Sequence, residues 1–155
     1  MIFDLARIPG QSRDMGTPTE LTYAQCRELL GSSVLGRVAF HDQDGIAVLP
    51  VNYSIVDETI IFRTSAYSSL AKAPMADSRS GSSGHQVSFS VDHIEHEARL
   101  GWSVLARGFA ELVQDDDELD HIKRTWDPEP WASGARPVYI RLRFKQLTGR
   151  RLLDH

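Results

Sequence analysis

Apolar and polar residues alternate with a period of two along most of the chain, the pattern of strands with one buried face. "VLGRVAFH" (Val34 to His41), "IAVLPVNYSIV" (Ile46 to Val56) and "TIIFRT" (Thr59 to Thr64) follow one another closely. They are separated by the turn "DQDG" (Asp42 to Gly45) and by Asp57–Glu58. Short turns between alternating segments predict an antiparallel meander. Pro50 has no amide to donate, so it belongs on an edge or at a bulge. Three more strands are predicted: "QVSFSVDHI", "WSVLARGFAELV" and "VYIRLRFKQL". In the second of these, Val104, Ala106 and Phe109 are core candidates and Gly108 marks a bend or bulge. In the third, Val138, Ile140, Leu142 and Phe144 face inward against Tyr139, Arg141, Arg143 and Lys145.

Helical spacing interrupts this pattern three times. Thr22 and Gln25 form a capping box ahead of an apolar stripe of Cys26, Leu29 and Leu30, ending near Gly31. A short helix is predicted over Ser68 to Ala76. Asp115 is a helix N-cap with Glu118 at its third position, followed by Leu119, Ile122 and Trp126. Residues 1–20 read as an N-terminal arm, 21–155 as one domain, and Asp77 to Gly84 as a small polar loop. Six strands with short helices between them predict a mainly β fold (α+β), a closed or nearly closed antiparallel barrel filled by its own side chains. A ligand then binds at the rim or between two barrels.

Composition narrows the function classes. The chain has 155 residues and a net charge of −4, so it lacks the basic excess of a general nucleic-acid binder. One cysteine, Cys26, excludes an internal disulfide and a multi-cysteine zinc site. No secretory signal and no membrane-spanning run is visible, so a cytoplasmic protein is expected.

The stretch "IIFRTSAYSSLAK" concentrates the candidate chemistry. Arg63 offers a planar fork suited to phosphate oxygens, and Thr64, Ser68 and Ser69 add hydroxyls at a helix start. Lys72 stands one helical turn beyond Ser68. A strand ending in solvent with a serine cap explains the same residues. "DHIEH" carries His93 and His96, but on a strand residues three apart point to opposite faces, so no metal site is expected. Trp102 and Trp131 are either core plugs or walls for a planar ligand. No nucleophile elbow, dinucleotide fingerprint or Walker loop is present, and no catalytic residue is assigned.

The ordered set "LGRVAF", "VLPVNY", "IIFRT", a serine-rich helix start, "VSFSVDHI", "GWSVLARG", "PW" and "TGRR" resembles the pyridoxamine 5′-phosphate oxidase-like family of FMN-binding split barrels, in particular its small actinobacterial-type members. The resemblance covers roughly Leu21 to Leu152. It implies a six-stranded antiparallel split barrel and a homodimer holding FMN in clefts between the subunits. By this likeness Leu49, Pro50, Val51 and Asn52 lie along the isoalloxazine ring. Arg63 and Thr64 hold the phosphate, helped by Ser68, Ser69 or Lys72. Trp102 and Ser103 come from the partner chain, and Trp131 closes the cleft. Such members often carry a lysine where this chain has Ser69. The implied activity is an oxidoreductase passing hydride between a small molecule and the flavin. Alternatives are a deazaflavin-dependent reductase of the same fold, drawing on Arg141 and Arg143, and a non-catalytic flavin- or haem-binding module, with His85 or His93 as haem ligand. A plain dimerisation domain with an empty cleft is a further one.

Overall fold

A computed structural model describes residues 17–76 and 84–153. Most of the expected 1–20 arm and nearly all of the 77–84 loop therefore lie outside the described residues. The elements run β1 (Pro18–Glu20), α1 (Tyr23–Gly31), β2 (Leu35–Asp42), β3 (Gly45–Val56), β4 (Thr59–Thr64), α2 (Ser69–Ala76), β5 (His85–Glu95), β6 (Leu100–Leu112), α3 (Asp116–Trp126) and β7 (Val138–Leu152). All strand pairings are antiparallel. The order β7-β4-β3-β2-β5-β6 closes on itself through a β6–β7 pairing, a six-stranded ring with β1 added beside the end of β7. This is the split barrel expected from the sequence. The short β1, at the end of the expected arm, pairs Pro18–Glu20 with Arg150–Leu152.

Local chemistry explains each helix start. Thr22 accepts from the Gln25 amide while the Gln25 side chain accepts from the Thr22 amide, so two orphan donors of α1 are satisfied reciprocally. Asp115 caps α3 through the Glu118 amide, with acidic residues in the first turn and Lys123 and Arg124 in the last. Ser68 caps α2 by accepting from the Ala71 amide.

Two apolar layers result. The barrel interior holds Val38, Phe40, Tyr53, Phe62, Phe89, Ile140 and Leu142, closed by Cys26 and Leu30 of α1. Tyr53 meets Phe89 edge-on at 4.9 Å. A second cluster lies outside the barrel, where Ile122 of α3 packs on Val56, Ile61, Val113 and Tyr139. Tyr139 is therefore buried, although strand alternation in the sequence assigns it to solvent; α3 covers the outer side of β3, β4 and β7 there. Phe109 departs from expectation in the other direction. Val104, Ala106 and Ala110 take the inner positions of β6, and Phe109 is half-buried on the outer side beneath the Lys145 ammonium.

The β3–β4 hairpin turns on two residues, Asp57 and Glu58, both at positive φ (48° and 59°). Such a turn favours Asn-Gly, because only small or short polar residues adopt that conformation cheaply. Here each turn residue is held by a helix: Arg27 of α1 pairs with Glu58 at 2.9 Å, and His121 of α3 with Asp57 at 2.8 Å. Exposed pairs of this kind contribute roughly 0–1 kcal/mol. Relief of backbone strain by glycine is worth about 1 kcal/mol. Glu58→Gly is thus expected to raise the melting temperature by about 2 °C. A drop in calorimetry would show that the Arg27 pair outweighs the strain.

Candidate functional site

Where β3 and β4 part company, the barrel opens. Their pairing ends with Tyr53 opposite Phe62, while β3 runs on through Asn52 to Gly45 with β2 as its only neighbour strand among the described residues. Pro50 sits in this overhang, as its missing amide demands. Alternation places Ile46, Val48, Pro50 and Asn52 on the outer side of β3. Ile46 is 72% exposed and Val48 56%. Across the register, Val48 faces Ala39 and Pro50 faces Arg37 on β2, and Arg37 pairs with Asp92 of β5 at 3.2 Å. A large apolar strip left open to water on a sheet face is unusual for a chain acting alone.

The polar end of the site follows at the end of β4. Thr64 is buried, and its hydroxyl donates to the Ser68 hydroxyl at 2.8 Å. Ser68 in turn caps α2. Ser69 and Lys72 are exposed on the first turn of that helix. Thr64 is at the end of β4, the strand adjoining β3, whereas Ser69 and Lys72 are on α2, which packs against β2 and β6.

Arg63 points away from Thr64, to the side of the sheet that also carries Asn52 and the apolar strip. Strand alternation puts it on the outer side, where its guanidinium stacks 5.0 Å from the centre of the Tyr139 ring. Its Nε donates to the Arg136 carbonyl at 3.1 Å, and its Nη1 lies 3.8 Å from Asp127. Tyr139 donates its hydroxyl to Asp127 at 2.9 Å. Burial, then this hydrogen bond and the Asp127 charge, push the phenol up to about 12 against the opposing Arg63 charge, so it stays protonated at any physiological pH.

Asn52 is likewise engaged. Its Nδ2 donates to the Val34 carbonyl at 3.3 Å, and its Oδ1 accepts from the Trp131 amide at 2.9 Å. Trp131 itself is 68% exposed. Trp102 and Ser103 fall on β6, two strands beyond β2, and within one chain do not join Leu49–Asn52. Trp102 packs on the barrel core with its ring 6.4 Å from that of His93, whereas Ser103 is on the outer side. The Cys26 thiol, buried on the core side of α1, is pushed up by that burial and behaves as a small hydrophobe.

The basic residues considered for a longer anionic tail sit elsewhere. Arg141 is held between Glu111 and Glu118, and Arg143 lies 3.7 Å from Glu111, both beside α3. The same region contains a cavity of about 210 Å³ lined by Thr59, His121, Ile122 and these arginines. Among the described residues no group of three His, Cys, Asp or Glu side chains is placed to hold a metal ion. No helix among them is long and apolar enough to cross a membrane. Ser54, whose hydroxyl donates to the Trp126 carbonyl at 2.7 Å, and Arg136, which accepts from Arg63, carried no signal in the sequence, because their partners are far away along the chain.

Comparison with known proteins agrees with this architecture. A model of the pyridoxamine 5′-phosphate oxidase family matches residues 22–151. Uncharacterized protein Rv0080 of Mycobacterium tuberculosis is 31% identical over 134 residues, covering 86% of this chain and 85% of that one. Among solved structures, the FAD binding protein from Mycobacterium smegmatis superposes with a TM-score of 0.68 at 28% identity, covering 86% of this chain and 98% of that one. A conserved protein of unknown function from Corynebacterium diphtheriae gives 0.65 at 25% identity, covering 88% and 98%.

Proposed function

From the premise that this chain belongs to the pyridoxamine 5′-phosphate oxidase family, we propose that it is a flavin-binding oxidoreductase whose cofactor, FMN, lies between two copies of the chain. One observation carries the reading. The exposed apolar residues Ile46, Val48 and Leu49 lie on the overhang of β3 that begins where β3 and β4 separate, and from that same point β4 passes through the buried Thr64 to the hydroxyl- and lysine-bearing start of α2. A flavin needs that combination, an apolar wall for its ring and a polar, cationic end for its phosphate.

Leu49, Pro50, Val51 and the backbone of Asn52 would flank the ring. Thr64, Ser68, Ser69 and Lys72 would hold the phosphate, with the amides of the first turn of α2 and its dipole favouring the anion. Trp102 and Ser103 of the second copy would supply the opposite wall, and Trp131 would stand at the mouth. A bound flavin supplies the redox chemistry, here hydride exchange with a small molecule; the chain supplies orientation and exclusion of water. The outer face formed by Ile46, Val48, Pro50, Ala39 and Leu105 is the surface a second copy would cover. That the M. smegmatis relative binds FAD supports a flavin in general, with FMN and FAD distinguished by experiment.

The test is the absorbance spectrum of the purified protein, chromatography of the released cofactor, and titration of the apoprotein. The expected result is an oxidised-flavin spectrum and an FMN dissociation constant in the micromolar range or below. A colourless protein that binds FMN, FAD and deazaflavin no better than millimolar would overturn the proposal.

A further inference from the structure

The segment between α3 and β7, residues 127–137, has no strand or helix of its own. It contains Pro128, Pro130 and Pro137, so it cannot make a regular ladder of backbone hydrogen bonds. It is nevertheless fastened at intervals by three outward-facing residues of β3 and β4. Ser54 donates to the Trp126 carbonyl at 2.7 Å, just before the segment begins. Asn52 accepts from the Trp131 amide in its middle. Arg63 donates to the Arg136 carbonyl near its end and pairs with Asp127 at its start. The Asn52 amide is spanned, its Nδ2 tied to the Val34 carbonyl while its Oδ1 holds Trp131. The Arg63 fork is also directed, since it stacks on the Tyr139 ring and lies 3.8 Å from Asp127, which accepts from the Tyr139 hydroxyl.

We propose that Asn52 and Arg63 are positioning residues, which hold the 127–137 segment against the sheet and so fix Trp131 at the edge of the apolar strip, rather than direct contacts to a bound phosphate. A large indole left 68% exposed is a rigid, low-entropy contact only if its backbone is fixed beforehand. Asn52 fixes the amide of that very residue. Arg63 fixes both ends of the segment that carries it. The two arise from neighbouring outward positions of adjoining strands, so they act on the segment together. As a statement about a ligand the inference rests on the proposed flavin site; as a statement about Trp131 it does not.

The experiment separates these two levels. Protein labelled with 5-fluorotryptophan gives three fluorine resonances, for Trp102, Trp126 and Trp131, and Trp131→Phe identifies the third. In Asn52→Ala and Arg63→Ala the Trp131 resonance is expected to narrow and move towards that of free fluorotryptophan, while the Trp102 resonance stays in place. Asn52→Asp, which keeps the acceptor for the Trp131 amide, is expected to restore the native position. A residue that only contributes stability would lower the melting temperature and leave the Trp131 resonance where it was. In titrations, Arg63→Ala is expected to weaken FMN and riboflavin by the same factor, about tenfold, because riboflavin lacks the phosphate. An unmoved Trp131 resonance in both alanine variants overturns the proposal. So does an Arg63→Ala protein that loses FMN affinity but keeps its affinity for riboflavin, which would make Arg63 a phosphate contact. If the unaltered protein binds neither flavin, the flavin reading falls, and the fluorine spectra still decide the positioning role.

Discussion

Gly108→Ala is expected to destabilise the protein by about 3 kcal/mol, lowering its melting temperature by roughly 10 °C. β6 and β7 pair in register until Arg107 faces Gln146; the next pair is Gly108 with Phe144, so Lys145 is the extra residue of a bulge. The bulge draws the β7 backbone across Gly108. A side chain there would overlap the Arg143 carbonyl oxygen and stand 2.8 Å from both the Arg143 carbonyl carbon and the Phe144 Cα. These are backbone atoms of a paired strand and cannot rotate away like the end of a side chain. The most extensive pairing in the barrel would have to shift to admit one methyl group. Gly31 supplies the contrast. Its added Cβ would meet only the flexible Arg27 guanidinium, at 3.2 Å, so Gly31→Ala is expected to change stability by less than about 1 kcal/mol. Thermal unfolding of the two variants side by side is the check, and equal melting temperatures would refute this account of the bulge.

Gly108 was legible because a bulge leaves a local mark, a glycine inside an alternating run. Pro50 on the overhang, the Thr22–Gln25 box and the Asp115 cap were legible for the same reason: the residue that needs the feature and the residue that provides it are neighbours. The closed order of the six strands came from the spacing of these local signals and from the ordered resemblance. The outer side of β7 was not legible. Tyr139 and Arg141 alternate with apolar residues as solvent-facing positions should, and only the return of α3 over the sheet buries Tyr139 and brings Glu118 to Arg141. The candidate site divides along the same line. Thr64, Ser68, Ser69 and Lys72 stand together because they are close in sequence. Arg63 and Asn52 belong to the same run of motifs, but their partners lie 73 and 79 residues away. A fork at a strand end reads equally well as a grip on phosphate or on a distant carbonyl until the far segment is placed.

If the proposed dimer holds the flavin, the second large effect is expected from Val48→Asp: a folded protein that is monomeric and has lost its flavin affinity. Val48 is 56% exposed in the single chain, on the outer side of β3 opposite Ala39. An aspartate at so open a position costs the isolated chain little, within about 0.5 kcal/mol for a surface change of this kind. If a second copy covers that face, the carboxylate is removed from water without a partner, a penalty of roughly 2–5 kcal/mol. A cost near 4 kcal/mol corresponds to about a thousandfold rise in the dimer dissociation constant. Light scattering at micromolar protein should then report a monomer, with a circular dichroism spectrum matching that of the unaltered protein. Flavin affinity should fall together with dimerisation, because in the proposed site Trp102 and Ser103 would reach the ring only from the other copy. The combination matters more than either result alone. A variant that becomes monomeric yet binds FMN undiminished would place the whole site within one chain, and a variant that remains dimeric would place the interface on another face of the barrel.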